Sequence, residues 1–181
     1  MTFPTIPTDK IILHHKNGDV CGYALVDLVD HIALSRFQWR LLPGKTSAYA
    51  ARYTREGGKF RAILMHREIL GEIAPKMVAD HINSDGLDNR RVNLRVASRS
   101  QNVSNRKIGK KSTGYMKGVT FFPLNPFRPW SAQIGHNHKN HNLGYFATEK
   151  EAHAAYCAAA VSIFGAFANN GYGPIQMRDA L

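Results

Sequence analysis

Apolar and polar residues alternate through AYAARYTREGGKFRAIL. Tyr49, Ala51 and Tyr53 share one side of the first arm, and Phe60, Ala62 and Leu64 alternate along the second. A two-residue period belongs to a half-buried strand, and Glu56-Gly57-Gly58 supplies a turn, so the stretch predicts a β-hairpin. The whole N-terminal third reads as strands. The opposite hairpin face carries Arg52, Lys59 and Arg61, set against a phosphate backbone or in water. MHREILG (65–71) reads as a short helix stopped by Gly71 and the later Pro75. NLRVAS can pair back as a strand on the residues before His81. SRSQNVSNRKIG then begins with Ser98 and has Gln101 three residues on, a capping box that predicts a helix from Ser98 to near Gly109. Asn102 falls in its first turn, with Asn105 and Arg106 on the same face.

The Gly-, Lys- and Ser-rich GKKSTGYMKG reads as a linker and domain boundary. Beyond it, GVTFF, PWSAQIG and HNLGYF are three strand-like runs. TEKEAHAAYCAAAVSIFG follows, with a second capping box at Thr148 and Glu151. Its apolar stripe is Ala152, Ala155, Tyr156, Ala159, Ile163 and Phe164, ended by Gly165. Three strands packed on one helix make a viable unit of about 55 residues. Alternation turns Trp130, Ala132 and Ile134 toward the helix and leaves Ser131 and Gln133 outward. The fold class is therefore α+β: a β-rich N-terminal region, a strand–strand–helix, then a three-stranded antiparallel sheet on one helix.

Composition narrows the function. The chain has 181 residues, is 44% apolar and carries a net charge of +11. That apolar content supports a core. The longest apolar run, YCAAAVSIFGAFA, is too short and interrupted to span a membrane, and the N-terminus lacks a signal-peptide core. Cys21 and Cys157 stand apart, which argues against a cysteine-rich zinc ribbon or a disulfide framework and fits a reducing cytoplasm. From Asn89 to Thr148 there is no Asp or Glu against eleven Lys and Arg. A polyanion is the natural partner of such a window, because each phosphate contact releases a counterion.

The candidate chemistry lies in VADHINSDGLDNRRVNLRVASRSQN (78–102). Asp80 offers a hard carboxylate oxygen and Asn102 an amide oxygen, a set suited with water to one divalent ion, Mg2+ first and Mn2+ second. His81, with an ordinary pKa near 6.5, is suited to take a proton from an attacking water. Neighbours on a regular strand point to opposite faces, so Asp80 and His81 share a site only at a strand end or bend. INSDGLDN supplies that bend. Metal plus base is the minimum set for phosphodiester hydrolysis.

This stretch resembles the HNH motif of phage-type homing endonucleases, the ββα-metal nucleases. The resemblance is close over these residues and extends loosely over 1–110, with the motif core at 65–108. It implies His81 as the general base, Asp80 and Asn102 on the metal, and Asn93 holding the loop and orienting the base. It implies Arg67 on a phosphate and His66 lining the cleft, each with a structural role as the alternative. Arg90, Arg91 and Arg106 are expected at the DNA backbone, and Asp85, Asp88 and Asn89 as turn residues.

Residues 114–170, with the GV start, LGYF before TEKEAHAAY and the FG end, resemble the Apetala (ethylene-response-factor) DNA-binding domain. That resemblance implies a sheet entering the major groove. It maps the reading positions to Thr120, Phe122, Ser131, Gln133, Gly135, Asn140 and Asn142. The arginines and tryptophans of the plant domains are missing from this face, so guanine reading is not expected. Gln133, Asn140 and Asn142 read adenine or hold phosphates. His136, His138 and His141 are expected as polar loop residues rather than metal ligands.

The expected division is 1–110 nuclease, 111–117 basic linker, 118–170 DNA-binding module and 171–181 tail. The expected protein is a metal-dependent DNA endonuclease of the homing type, acting on double-stranded DNA in a bacterial or phage-infected cell. It is expected as a monomer, which nicks one strand, whereas a dimer cuts both. The rival is a DNA-binding regulator with a dead nuclease domain. Retention of Asp80, His81, Asn93 and Asn102 together argues against it.

Overall fold

Gly57 and Gly58 take positive φ values of 56° and 80°, and Glu56 pairs directly with Lys59 across them. The expected hairpin thus closes on a two-residue turn that only residues without a Cβ adopt readily. Its strands are β4 (Tyr49–Glu56) and β5 (Lys59–Leu64). The computed structural model describes residues 7–44, 47–106, 115–137 and 139–175. The chain divides into two units, residues 1–96 and 97–181.

In the first unit, β1 (Thr8–His14), β2 (Val20–Asp27) and β3 (Trp39–Leu42) join the hairpin in a five-stranded sheet of order β2-β1-β3-β4-β5. Only the β1–β3 pairing is parallel. The core gathers Ile11, Leu13, Ala24, Val26, Trp39 and Ala50 from the sheet with Met65, Ile69 and Leu94. Trp39 is completely buried and donates its indole N–H to the Leu34 carbonyl at 2.8 Å. The hairpin's apolar face is not covered to its tip: Phe60 is 79% exposed. The stretch Leu28–Leu34, within the region expected as strands, is a helix, α1. Its apolar letters mislead because Leu28, Val29 and Ile32 face solvent, while Asp30 and Leu34 are the buried positions.

The expected short helix is α2 (Met65–Leu70), closed by Gly71 at φ 71°. Strands β6 (Met77–His81) and β7 (Leu94–Ser98) then form a two-stranded sheet, with a 3-10 turn at Arg91–Asn93 before β7.

The second unit takes in the end of β7 and then α3 (Arg99–Ser104), whose Ser98–Gln101 capping box forms with both reciprocal bonds. The helix stops at Ser104, short of the expected end near Gly109, which lies outside the described residues. Its terminal carbonyls have other partners. Lys117 Nζ donates to the carbonyls of Ser104 at 2.7 Å and Arg106 at 2.8 Å. Asn169 Nδ2 donates to the Asn105 carbonyl at 2.9 Å. These bonds end the helix by satisfying the last-turn acceptors.

Strands β8 (Val119–Phe121), β9 (Trp130–His136) and β10 (Lys139–Phe146) form an antiparallel sheet of order β10-β9-β8. Helix α4 (Glu149–Phe164) follows, with its Thr148–Glu151 capping box intact. Val119, Ala132 and Ile134 of the sheet are buried with Ala152, Tyr156 and Ala160 of α4. The buried stripe runs 152–156–160, and Ile163 lies outside it. The whole is a mixed α+β fold, as expected.

Candidate active site

Asp80 and His81 end strand β6 and are both nearly inaccessible, at 5% and 6% exposure. The chain turns immediately after them, through Ser84 at φ 60°. Asn83 Oδ1 accepts from the Asp85 N–H at 2.8 Å, and Asp85 Oδ1 from the Leu87 N–H at 3.0 Å. These are the side-chain turns expected of Asn and Asp.

Asn93 ties the two ends of this loop together. Its Oδ1 accepts from the Asn83 N–H at 3.0 Å, and its Nδ2 donates to Asn83 Oδ1 at 3.0 Å and to the Asp88 carbonyl at 2.7 Å. The loop is also docked on strand β2. The Leu25 N–H donates to the Leu87 carbonyl at 2.9 Å, and the Asn89 N–H donates to the Leu25 carbonyl at 2.8 Å. Farther along, the Arg91 N–H reaches Asp27 Oδ2 at 2.8 Å, and its guanidinium holds both oxygens of Asp30 at 2.8 and 2.7 Å.

The His81 ring stands edge-to-face against His66, centroids 4.8 Å apart at 89°. Tyr49 lies 6.0 Å from His81 and 5.8 Å from His66. Asn89 Oδ1 is 3.3 Å from His81 Nε2. Burial pushes the His81 pKa down, against the opposing pull of Asn89 and of Asp80, Asp85 and Asp88. The ring is therefore neutral at neutral pH and able to accept a proton. His66 is pulled down to about 3 by burial first, then by His81 and Arg67.

That depression has a thermodynamic sign. Between about 3 and 6.5 the unfolded chain binds a proton at His66 that the folded chain refuses, so stability falls as pH drops through that window. From pH 7 to pH 5 the loss is about 2 kcal/mol. Urea midpoints at the two pH values measure it, and His66→Phe, which cannot titrate, is expected to reduce the slope, leaving the part that the buried His81 contributes. A slope unchanged in His66→Phe would contradict the assignment.

Asp80 Oδ2 accepts from Arg95 Nε at 2.8 Å. The guanidinium neutralises the buried carboxylate, so a cation bound at Asp80 would share it with Arg95. The carboxylate's hard oxygen fits a divalent ion such as Mg2+. Among the described residues no group of three or more His, Cys, Asp or Glu side chains converges as a metal site.

The remaining sequence candidates divide. Arg90 forks onto Asp88 at 2.7 and 2.6 Å, and Arg91 onto Asp30, so both guanidiniums brace the loop while their side chains stay part-exposed. Arg52 pairs with Glu68 and lies over Phe37. Arg67 and Arg106 are exposed. Asn102 sits in the first turn of α3 in the second unit, half-buried. Thr120, Gly135, Asn140 and Asn142 are exposed, Phe122 largely so, and Gln133 is half-buried.

Ser131 is a correction. It was expected to face outward, but it is 0% exposed and its hydroxyl lacks a partner. Its cross-strand neighbours Thr120 and Tyr145 stand on the same face, and Tyr145 meets Phe122 at 6.1 Å, which closes the surface over the small side chain. His136 packs on Phe164, His141 is exposed, and His138 lies outside the described residues.

Four features of the site escape sequence reasoning: Tyr49, Asn89, Arg95, and the Asp27–Asp30 clamp on Arg91. The clamp partners lie 61 and 64 residues apart, and no spacing rule links them.

The end of β6 thus brings together a buried imidazole and a buried, ion-paired carboxylate. The sequence model of the HNH endonuclease family matches residues 62–104, the stretch that builds it. A protein of Acanthamoeba polyphaga mimivirus named as an uncharacterized HNH endonuclease is 30% identical over 146 residues, covering 81% of this chain and 73% of that protein. The chain belongs to the HNH endonuclease family, nucleases that hydrolyse DNA. No solved structure matches it. No helix among the described residues is long and apolar enough to cross a membrane.

Proposed function

We propose that this protein is a Mg2+-dependent endonuclease of the homing type that cuts double-stranded DNA, with residues 118–170 as its DNA-targeting module. The observation that carries the reading is His81, buried and held neutral, next to the Asp80 carboxylate at the end of β6. His81 takes the proton of the attacking water. Asn93 fixes the loop on which the histidine's surroundings are built. Asp80 holds the metal, and the motif supplies Asn102 as the second oxygen donor. Bound there, a hard divalent cation supplies positive charge for the phosphodiester oxygens. Arg95 orients the Asp80 carboxylate. The acid-free window from Asn89 to Thr148 draws the duplex, and Thr120, Gln133, Asn140 and Asn142 contact it. The protein acts as a monomer in the cytoplasm of a bacterial or phage-infected cell and nicks one strand.

Supercoiled plasmid tests this reading. With Mg2+ the expected product is open circular DNA; with EDTA cleavage stops, and excess Mg2+ or Mn2+ restores it. Linear DNA as the first product would replace the monomeric nickase by a double-strand cutter. A protein that retards DNA on a gel but cuts none of a set of genomic target libraries in either metal would be a DNA-binding regulator instead.

A further inference from the structure

Strands β8 and β9 are joined by an eight-residue loop, FPLNPFRP (122–129). Two of its apolar side chains stand in water: Leu124 is 97% exposed and Phe127 is 86% exposed. Apolar residues scattered singly over a surface need no explanation, but these two crown one loop. They do not hang on a slack chain. The Phe122 N–H donates to the Pro129 carbonyl at 2.6 Å, which closes the base of the loop, and the Asn125 N–H donates to the Phe122 carbonyl at 3.2 Å. Asn125 Oδ1 accepts from the Arg128 N–H at 3.1 Å. Pro123, Pro126 and Pro129 fix their own φ angles. The apolar tips are thus presented on a braced support, which lowers the ordering cost of binding through them.

The surroundings define the chemistry of a partner. The loop's one charged residue is Arg128, beside Phe127, and no Asp or Glu stands between Asn89 and Thr148. A partner must therefore offer an apolar slot next to negative charge. The three prolines lack the N–H with which a loop joins a partner's strand, which argues against docking by strand addition. Stacked base pairs flanked by phosphates offer both the slot and the charge. The location agrees. Phe122 meets Tyr145 at 6.1 Å on the sheet face that carries Thr120, so the loop leaves from the edge of that face.

We propose that Leu124 and Phe127 form a wedge that enters between stacked base pairs of double-stranded DNA, kinking and unwinding it, with Arg128 on an adjacent phosphate. Every base step presents an apolar stack, so the wedge acts on duplexes of any sequence. It adds affinity without adding phosphate contacts. The proposal rests on the reading of residues 118–170 as the DNA-targeting module, and it adds to that reading a deformation of the duplex rather than a contact to base edges.

The test uses the full chain in EDTA, where metal-dependent cleavage is silent, with closed circular plasmid and a type IB topoisomerase, which needs no metal. Plasmid relaxed around an unwinding protein is negatively supercoiled once the protein is removed. The expected result is a linking number that falls in proportion to the wild-type protein bound. The double variant Leu124→Ser, Phe127→Ser is expected to lose most of that fall per bound protein. It is also expected to bind a short duplex about tenfold or more weakly, with the salt dependence of binding unchanged. Arg128→Gln is expected to do the opposite, keeping the fall per bound protein and lowering the salt slope by about one. All three side chains are exposed, so the thermal midpoints are expected to match the wild type. A wild-type protein that binds duplex without changing the linking number overturns the wedge and leaves the targeting module standing. A double variant that still unwinds DNA does the same. A double variant that loses self-association while keeping the fall in linking number would make the tips a contact between copies of the chain instead. A wild-type protein that retards no duplex at all ends the wedge and the targeting module together.

Discussion

His81→Ala is expected to lower plasmid cleavage by about 10²–10⁴-fold, the range that a positioned general base contributes. Three features make the effect large. The ring is neutral by burial, so nearly every molecule holds the base in its competent form at neutral pH. Among the described residues the neighbouring imidazole, His66, is a poor substitute, because it is pulled down to about 3 and would be a far weaker base. The ring is also confined between His66 and Tyr49, which reduces the reorganisation needed before proton transfer. The same confinement means that alanine leaves a hole at a nearly inaccessible site, so part of any loss could be structural. His81→Gln fills more of the hole without providing a base. Cleavage rate, gel retardation and the thermal midpoint should be measured for both variants. Loss of cleavage in both, with DNA retardation kept, supports the assignment; a glutamine variant that cuts at the wild-type rate ends it.

The second large effect is at Asn93. Asn93→Ala removes three hydrogen bonds at once and leaves the Asn83 N–H, Asn83 Oδ1 and the Asp88 carbonyl without the partner each now has. An orphaned buried polar group costs about 1–3 kcal/mol, and partial exposure of Asn83 moderates the sum. The expected destabilisation is about 2–4 kcal/mol, read as a lower urea midpoint with an unchanged slope. Asn93→Asp is not expected to rescue it. It keeps an acceptor for the Asn83 N–H but turns a second oxygen toward the Asp88 carbonyl, 2.7 Å from the present Nδ2. Cleavage should fall with stability in both variants, because the loop that Asn93 ties also carries Asn89. A stable Asn93→Ala protein would show that the loop is held by its docking on β2 alone.

What can be read from the sequence is what depends on neighbours in sequence. Both capping boxes form because a cap and its partner three residues on need nothing else. The Gly57-Gly58 hairpin closes for the same reason, and Asp80-His81 falls at a strand end because INSDGLDN cannot continue one. The misreadings have the opposite character. Helix α1 carries apolar residues on its exposed side, so its pattern resembles a strand. Ser131 alternates correctly for an outward position but is covered by Tyr145 and Thr120 from the adjoining strands. The pairing of Arg91 with the distant Asp30 is equally illegible in the sequence. Tyr49 joins the two histidines across an interval that periodicity cannot bridge.

The docking of the active-site loop on β2 bears on how such an enzyme can be rearranged. Leu25, Asp27 and Asp30 hold Leu87, Asn89 and Arg91, yet none of the three lies in the 62–104 stretch that carries the family signature. A graft of that stretch into a foreign scaffold would transfer every signature residue and leave the clamp behind. The portable module is longer than the motif. Exchange of cutting domains between such proteins must bring the N-terminal sheet along, or supply another strand with a carbonyl, an amide and two carboxylates in the same places.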